Sequence, residues 1–242
     1  MPGRLQGTCG DATDHRTRTQ GRLAYHRAVQ SEPARSQRSL VHAVIPIGTL
    51  EGAKSRLGQV LDAEERRDLV TRLAETTIRA AVATPGIAET IVITPDDEVR
   101  GLALAAGARP IRQRSTGLNA GLREARDEVI AAGGSALLVL PIDLPQVSPE
   151  ALGRIVDVLA EASPPLVAIV ADRHGRGTNA LLLAPPDVID VCFGGDSHRA
   201  HAAAAAAAGA RLVELDGPLT VDIDTPDDLL LAQARTPESV GG

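Results

Sequence analysis

Short apolar runs alternate with longer amphipathic stretches from His42 to Ala234, and this alternation restricts the possible fold more than any other property of the sequence. Apolar runs at residues 42–47, 90–94 and 136–140, with a short strand around 109–111, are separated by helical patterns at 63–83, 96–106 and 119–132. Strands spaced by helices of that length imply a largely parallel sheet with helices on both faces. Two further runs, 166–171 and 179–184, lie only seven residues apart and read as a hairpin or antiparallel edge, which makes the sheet mixed. A helix at 148–162 that starts Ser148-Pro149-Glu150, an alanine-rich helix at 197–208, a strand at 211–215 and a last helix at 226–234 complete a single α/β domain spanning 41–235.

Apolar residues make up 43% of the chain, yet there is one Phe, one Tyr and no Trp, so the core is built from Ala, Val, Leu and Ile. A net charge of −6 argues against a nucleic-acid partner, which would call for a basic surplus or stripe. Cys9 and Cys192 are too few for a disulfide framework and have no metal-ligand spacing, which suits a reducing cytoplasm. No apolar run reaches the roughly 18 residues of a membrane helix, and the first forty residues lack a secretory apolar segment. Residues 1–40, rich in Arg, Gln, Ser and Gly, read as a disordered leader or as the result of a mis-assigned start; 236–242 read as a flexible tail.

Two aspartate signatures carry the clearest chemistry. Asp143 follows the apolar run 137–140 and stands between Pro141 and Pro145, where an open α/β sheet binds ligands. It is a natural ligand for a hard cation, and equally a strand-end cap. In Asp222-Ile223-Asp224-Thr225-Pro226-Asp227-Asp228, helix capping accounts for Asp224, Asp227 and Asp228, which leaves Asp222 as the second metal ligand and Asp224 as the reserve. Lys54 and Arg56 lie in the loop after the first strand, either as phosphate ligands or as solvated loop cations. Gly194 to Ser197 form either a backbone anion site or an ordinary helix start, and Thr178 either meets a ligand or closes a turn. No Ser or Cys sits as an elbow nucleophile, and His174, His198 and His201 lack metal spacing.

In order, Ile45-Pro46, Ala53-Lys54-Ser55-Arg56-Leu57, Gly117-Leu118-Asn119, Leu140-Pro141-Ile142-Asp143-Leu144-Pro145, Gly177-Thr178-Asn179, Phe193-Gly194-Gly195-Asp196-Ser197 and Asp222-Ile223-Asp224-Thr225-Pro226 resemble the phosphoenolpyruvate and 2-phospho-L-lactate guanylyltransferases of deazaflavin coenzyme biosynthesis. The resemblance covers residues 42–234. It implies a glycosyltransferase-A-like, Rossmann-like nucleotidyltransferase domain, with GTP and a three-carbon phospho-acid as substrates and the next biosynthetic enzyme as recipient of the product. It further implies Mg2+ on Asp143 and Asp222, the acceptor against Thr178, Gly194 and Ser197, and the nucleotide against Lys54, Arg56 and Asn119, with Lys54 and Arg56 as the catalytic cations. One departure stands out: where the family usually has a lysine shortly after the first-strand proline, this chain has Gly48. A nucleotidyltransferase for a molybdenum cofactor or a sugar phosphate, and a nucleotide-binding module without catalysis, are the competing readings.

Overall fold

The structure, a computed structural model, describes residues 41–51 and 54–235; the leader read at 1–40 and the tail at 236–242 lie outside the described residues. Seven strands form one sheet: β1 (Val41–Pro46), β2 (Ile87–Thr94), β3 (Arg109–Arg112), β4 (Ala136–Val139), β5 (Leu166–Ala171), β6 (Thr178–Ala184) and β7 (Arg211–Glu214), in the order β3-β2-β1-β4-β6-β5-β7. The helices are α1 (Ala63–Ala83), α2 (Asp97–Ala105), α3 (Leu118–Ala131), α4 (Pro149–Glu161), α5 (Ser197–Ala207) and α6 (Pro226–Arg235), with 3₁₀ turns at Ser55–Gln59 and Pro218–Thr220.

Local chemistry starts the helices where the sequence suggests. Asp62 and Glu65 form a reciprocal capping box at α1, Asp96 accepts from the Glu98 and Val99 amides at α2, and Ser148 caps α4 with Pro149 behind it. Alternation along the strands then divides the core in two. Ala43, Leu138, Leu182 and Ala168 face α1, α2 and α4, while Val44, Val139, Leu181 and Ile169 face α3 and α5. Leu137, Leu138 and Leu182 are wholly buried, each contributing about 1.5–3 kcal/mol through loss of apolar surface.

β1 pairs in parallel with β2 on one side and β4 on the other, so the chain reverses its direction of travel across the sheet between β1 and β4. Such a switch point opens a crevice beyond the strand ends. β6 runs antiparallel to both β4 and β5, as the hairpin reading expects. Its register sets Leu181 opposite Val139 and Leu183 opposite Leu137, so the beginning of β6, with Thr178 and Asn179, lies at the same edge as the end of β4. No helix among the described residues is long and apolar enough to cross a membrane.

Candidate active site

Asp143 leaves β4 through Leu140, whose amide still bonds to the Val44 carbonyl. The C-terminal signature reaches it through one backbone bond, Ile223 N–H to the Asp143 carbonyl at 2.9 Å. Upstream, the buried Asn179 amide donates to the Leu219 carbonyl at 2.9 Å, which anchors the turn that feeds this segment. Residues 222 and 224 flank Ile223 on an extended segment and project to one side, while Ile223 turns the other way into a small cluster with Leu57, Leu73 and Ala232. The carboxylates of Asp143, Asp222 and Asp224 thereby offer oxygens all within 4.8 Å of one another.

Asp224 therefore joins the cluster, contrary to its reading as a helix cap. Thr225 and Asp228 do the capping instead: the Asp228 carboxylate accepts from the amides of Asp224 at 3.1 Å and Thr225 at 2.7 Å, and from the Thr225 hydroxyl. Arg173, from the loop between β5 and β6, pairs with the other oxygen of the buried Asp228. Asp224 is left free to face the cleft.

The two loop cations separate. Lys54 is largely buried, with Nζ 2.9 Å from Asp143 and 2.7 Å from Asp224. Burial lowers its pKa, but the adjacent Asp143 and Asp224 carboxylates outweigh that and hold it above the usual lysine value. It therefore stays charged. Arg56, 76% exposed, lies 3.8 Å from Asp224 and lines the cleft. The alternative of two solvated cations thus fails for Lys54, while Arg56 is exposed and borders the cleft. Among the described residues, Lys54 is also one of two non-glycine residues with left-handed backbone, at φ 52°; the other is Asp196, at φ 60°. Both border the site, where such strain tends to collect.

Three carboxylates facing one buried ammonium carry an excess of negative charge. Burial, and then the charges of Asp143 and Asp224, push the Asp222 carboxyl above its ordinary value. A hard oxygen-donor set of this kind fits a divalent cation. Ionised Asp222 costs stability at neutral pH, because a raised folded pKa favours the protonated form and the penalty appears as pH rises through it. Asp222→Asn is therefore expected to raise the thermal midpoint in metal-free buffer at pH 7; a calorimetric scan showing a fall would contradict the crowding.

The opposite wall of the cleft, about 640 Å³ in volume, is formed by Thr178, Phe193, Gly194 and Ser197 with the loop 172–177. Asp172 closes that loop by accepting from the His174 and Arg176 amides, and a Cβ at Gly177 would stand 2.8 Å from its carboxylate, so a larger residue there would push that carboxylate aside. Gly194 has φ +146°, a conformation that side chains resist. Ser197 is not capped by Asp196, which makes no side-chain cap bond and instead pairs with Arg176. The Ser197 hydroxyl donates to Thr178 Oγ1 at 3.2 Å. Another hollow, about 410 Å³ at the edge of β2 and β3, carries the Glu89–Arg109 ion pair and lies away from the switch-point crevice.

Asn119, expected against the nucleotide, engages its side-chain amide within the protein. Its amide donates to the Phe193 carbonyl at 2.9 Å and accepts from the Phe193 amide at 2.8 Å, clamping both sides of one residue. It holds the cleft wall in place. Gly48 leaves open space: a Cβ there would meet nothing within 4 Å.

A family model described as guanylyl transferase, CofC-like, matches residues 41–232. The chain belongs to this family. Among its relatives, this guanylyl transferase chain is 40% identical over 188 residues to the phosphoenolpyruvate guanylyltransferase of Sphaerobacter thermophilus, covering 77% of this chain and 89% of that one. It is 41% identical over 197 residues to the phosphoenolpyruvate guanylyltransferase of Nocardia farcinica, covering 78% and 83%. In fold it is similar to a putative nucleotide-diphospho-sugar transferase from Desulfovibrio desulfuricans, with a TM-score of 0.67 at 17% identity over 82% of this chain and 89% of that one. The CofC-like domain thus has the mixed, mostly parallel sheet that the strand and helix pattern implies, in the nucleotidyltransferase fold that the family resemblance implies.

Proposed function

We propose that the protein joins the guanylyl group of GTP to phosphoenolpyruvate in the cytoplasm, with 2-phospho-L-lactate as the variant acceptor. The observation that carries this reading is the meeting of Asp143, Asp222 and Asp224 with Lys54 at the mouth of the cleft walled by Thr178, Gly194 and Ser197. The phosphoenolpyruvate guanylyltransferases at 40% and 41% identity support the choice of acceptor. Asp143 and Asp222, joined by Asp224, would hold Mg2+. Bound there, it would supply the positive charge that offsets the charge building on the departing pyrophosphate.

A phosphate monoester has a second pKa of about 6, so the acceptor oxygen is already ionised at neutral pH and no general base is needed. An acceptor phosphate oxygen forms a bond to the α-phosphorus of GTP while the bond from that phosphorus to the β-phosphate bridging oxygen breaks. Pyrophosphate leaves, and the product is a diphosphate-linked guanosine adduct that passes to the next biosynthetic enzyme. The residues contribute alignment and charge. Thr178, Ser197 and the Gly194 backbone receive the acceptor, and Arg56 extends into the cleft toward the nucleotide phosphates. Lys54 acts from within the carboxylate cluster. Asn119 serves the site by fixing Phe193 rather than by touching the nucleotide.

The test is pyrophosphate release across a panel of nucleoside triphosphates and phosphorylated acceptors with Mg2+. GTP with phosphoenolpyruvate or phospholactate is expected to release it. Silence with both acids, or faster release with a sugar phosphate or a molybdenum-cofactor precursor, would overturn the assignment.

A further inference from the structure

His201 follows Ser197 by one helical turn on α5 and is fully buried, yet it belongs to neither the carboxylate cluster nor the exposed cleft wall. Its Nε2 lies 2.9 Å from the backbone N–H of Cys192. That amide can only donate, so Nε2 must present its lone pair. Burial, and then the nearby His198, push the ring down to a pKa of about 4, so it is neutral at physiological pH with its single proton on Nδ1. The edge of Phe193, with ring centroids 5.2 Å apart, holds the imidazole plane.

Nδ1 stands 3.1 Å from Thr178 Oγ1, and Thr178 Oγ1 stands 3.2 Å from Ser197 Oγ. With Nδ1–H donating, the two hydroxyls bring two protons to the group and use one between themselves. The other is left over. Thr178 and Ser197 both line the cleft, so the spare proton is directed there. The opposite tautomer would reverse this: Thr178 would donate to the ring, Ser197 to Thr178, and only lone pairs would face the cleft.

We propose that His201, locked in its Nδ1–H form by the Cys192 amide, makes the Thr178–Ser197 pair a hydrogen-bond donor toward an anionic oxygen of the acceptor. His201 is thus a positioning residue for a small phosphorylated carboxylic acid. This rests on the acceptor site assigned under the proposed function and adds the group that sets its polarity.

His201→Gln and His201→Asn divide the two bonds. The longer glutamine amide can still accept from Cys192 but leaves Thr178 without its donor; the asparagine amide lies near the Nδ1 position and can donate to Thr178. His201→Gln is expected to raise the KM for phosphoenolpyruvate about tenfold or more while the KM for GTP stays unchanged, the loss typical of one hydrogen bond to a charged ligand. His201→Asn should remain close to wild type. Thr178→Val should reproduce the rise, and adding His201→Gln to it should bring no further loss. Equal rises in both histidine variants, a parallel rise in the KM for GTP, or additive losses in the double variant would overturn the role. Should the histidine variants fail to fold, Thr178→Val and Thr178→Ser decide: acceptor KM must rise in the first and recover in the second. Absence of turnover by the wild type with any acceptor would sink the proposed function and the role of His201 with it, whereas normal wild-type turnover with an unchanged KM in His201→Gln removes His201 alone.

Discussion

Asp143→Asn is expected to lower turnover by roughly 10³-fold, about 4 kcal/mol of barrier, while the unfolding midpoint in metal-free buffer stays near wild type. The carboxylate is doubly committed, lying 2.9 Å from Lys54 and within the three-aspartate cluster. Amide replacement keeps its size and removes its charge, so the cluster loses a hard ligand and the ammonium loses a partner. The loss of ligand weakens cation binding, whereas the lower like-charge repulsion offsets the weaker pairing with Lys54. A readout without catalysis separates these effects. Mg2+ at a hundredfold excess over its dissociation constant should stabilise the wild type by about 2.7 kcal/mol, and the variant should respond far less. Retained turnover, or an equal Mg2+-induced shift in both proteins, would take Asp143 out of the metal site.

Asp228→Ala should cost about 3–5 kcal/mol of folding stability, the largest loss expected from a single polar side chain near the site. The Asp228 side chain is only 6% exposed, accepts two backbone amides and a hydroxyl, and pairs with Arg173. Removing it leaves the Arg173 guanidinium without its carboxylate partner and the first turn of α6 without its cap. Burial works to raise the Asp228 pKa, but hydrogen bonds from Thr225 and the Asp224 amide, with the charge of Arg173, hold it below the ordinary value. Its stabilisation is therefore complete above the unfolded value of about 3.9 and is lost as pH falls through the lower folded value. Thermal midpoints of wild type and variant should differ by on the order of 10 °C at pH 7, and the gap should narrow below about pH 4. A gap independent of pH would mean that packing, rather than the charged group, accounts for the loss. Because Asp228 also holds the Asp224 amide, the variant should need more Mg2+ for the same turnover.

The strand and helix alternation gave most of the fold, because each element carries its own period and its own stop: Pro85-Gly86 after α1, Ser148-Pro149 before α4. The position of β6 between β4 and β5 had no local signal, since strand order depends on contacts distant in sequence. Within the site, Asp143 and Asp222 were legible from their places beside an apolar run and before a helix. Asp224 was obscured by its suitability as a cap, although two cues were available: it is two residues from Asp222 in an extended segment, and Thr225-x-x-Asp228 is a capping box in its own right. His201 carries no metal-ligand spacing with His174 or His198 that would mark it in the sequence. Its separation of four residues from Ser197 on one helix places both on the same face, which was the usable signal. The difference between Lys54 and Arg56 could not be read at all, since two cations in one loop diverge only when the fold buries one of them.

The bond from Ile223 to the Asp143 carbonyl also has a consequence in time. Synthesis proceeds from the N-terminus, so all seven strands are made before the segment that supplies Asp222 and Asp224. A nascent chain can make its sheet strands and the Thr178–Ser197 wall of the cleft while the carboxylate cluster is still incomplete. The carboxylate cluster therefore closes after the sheet strands exist, when the Ile223 amide reaches the Asp143 carbonyl.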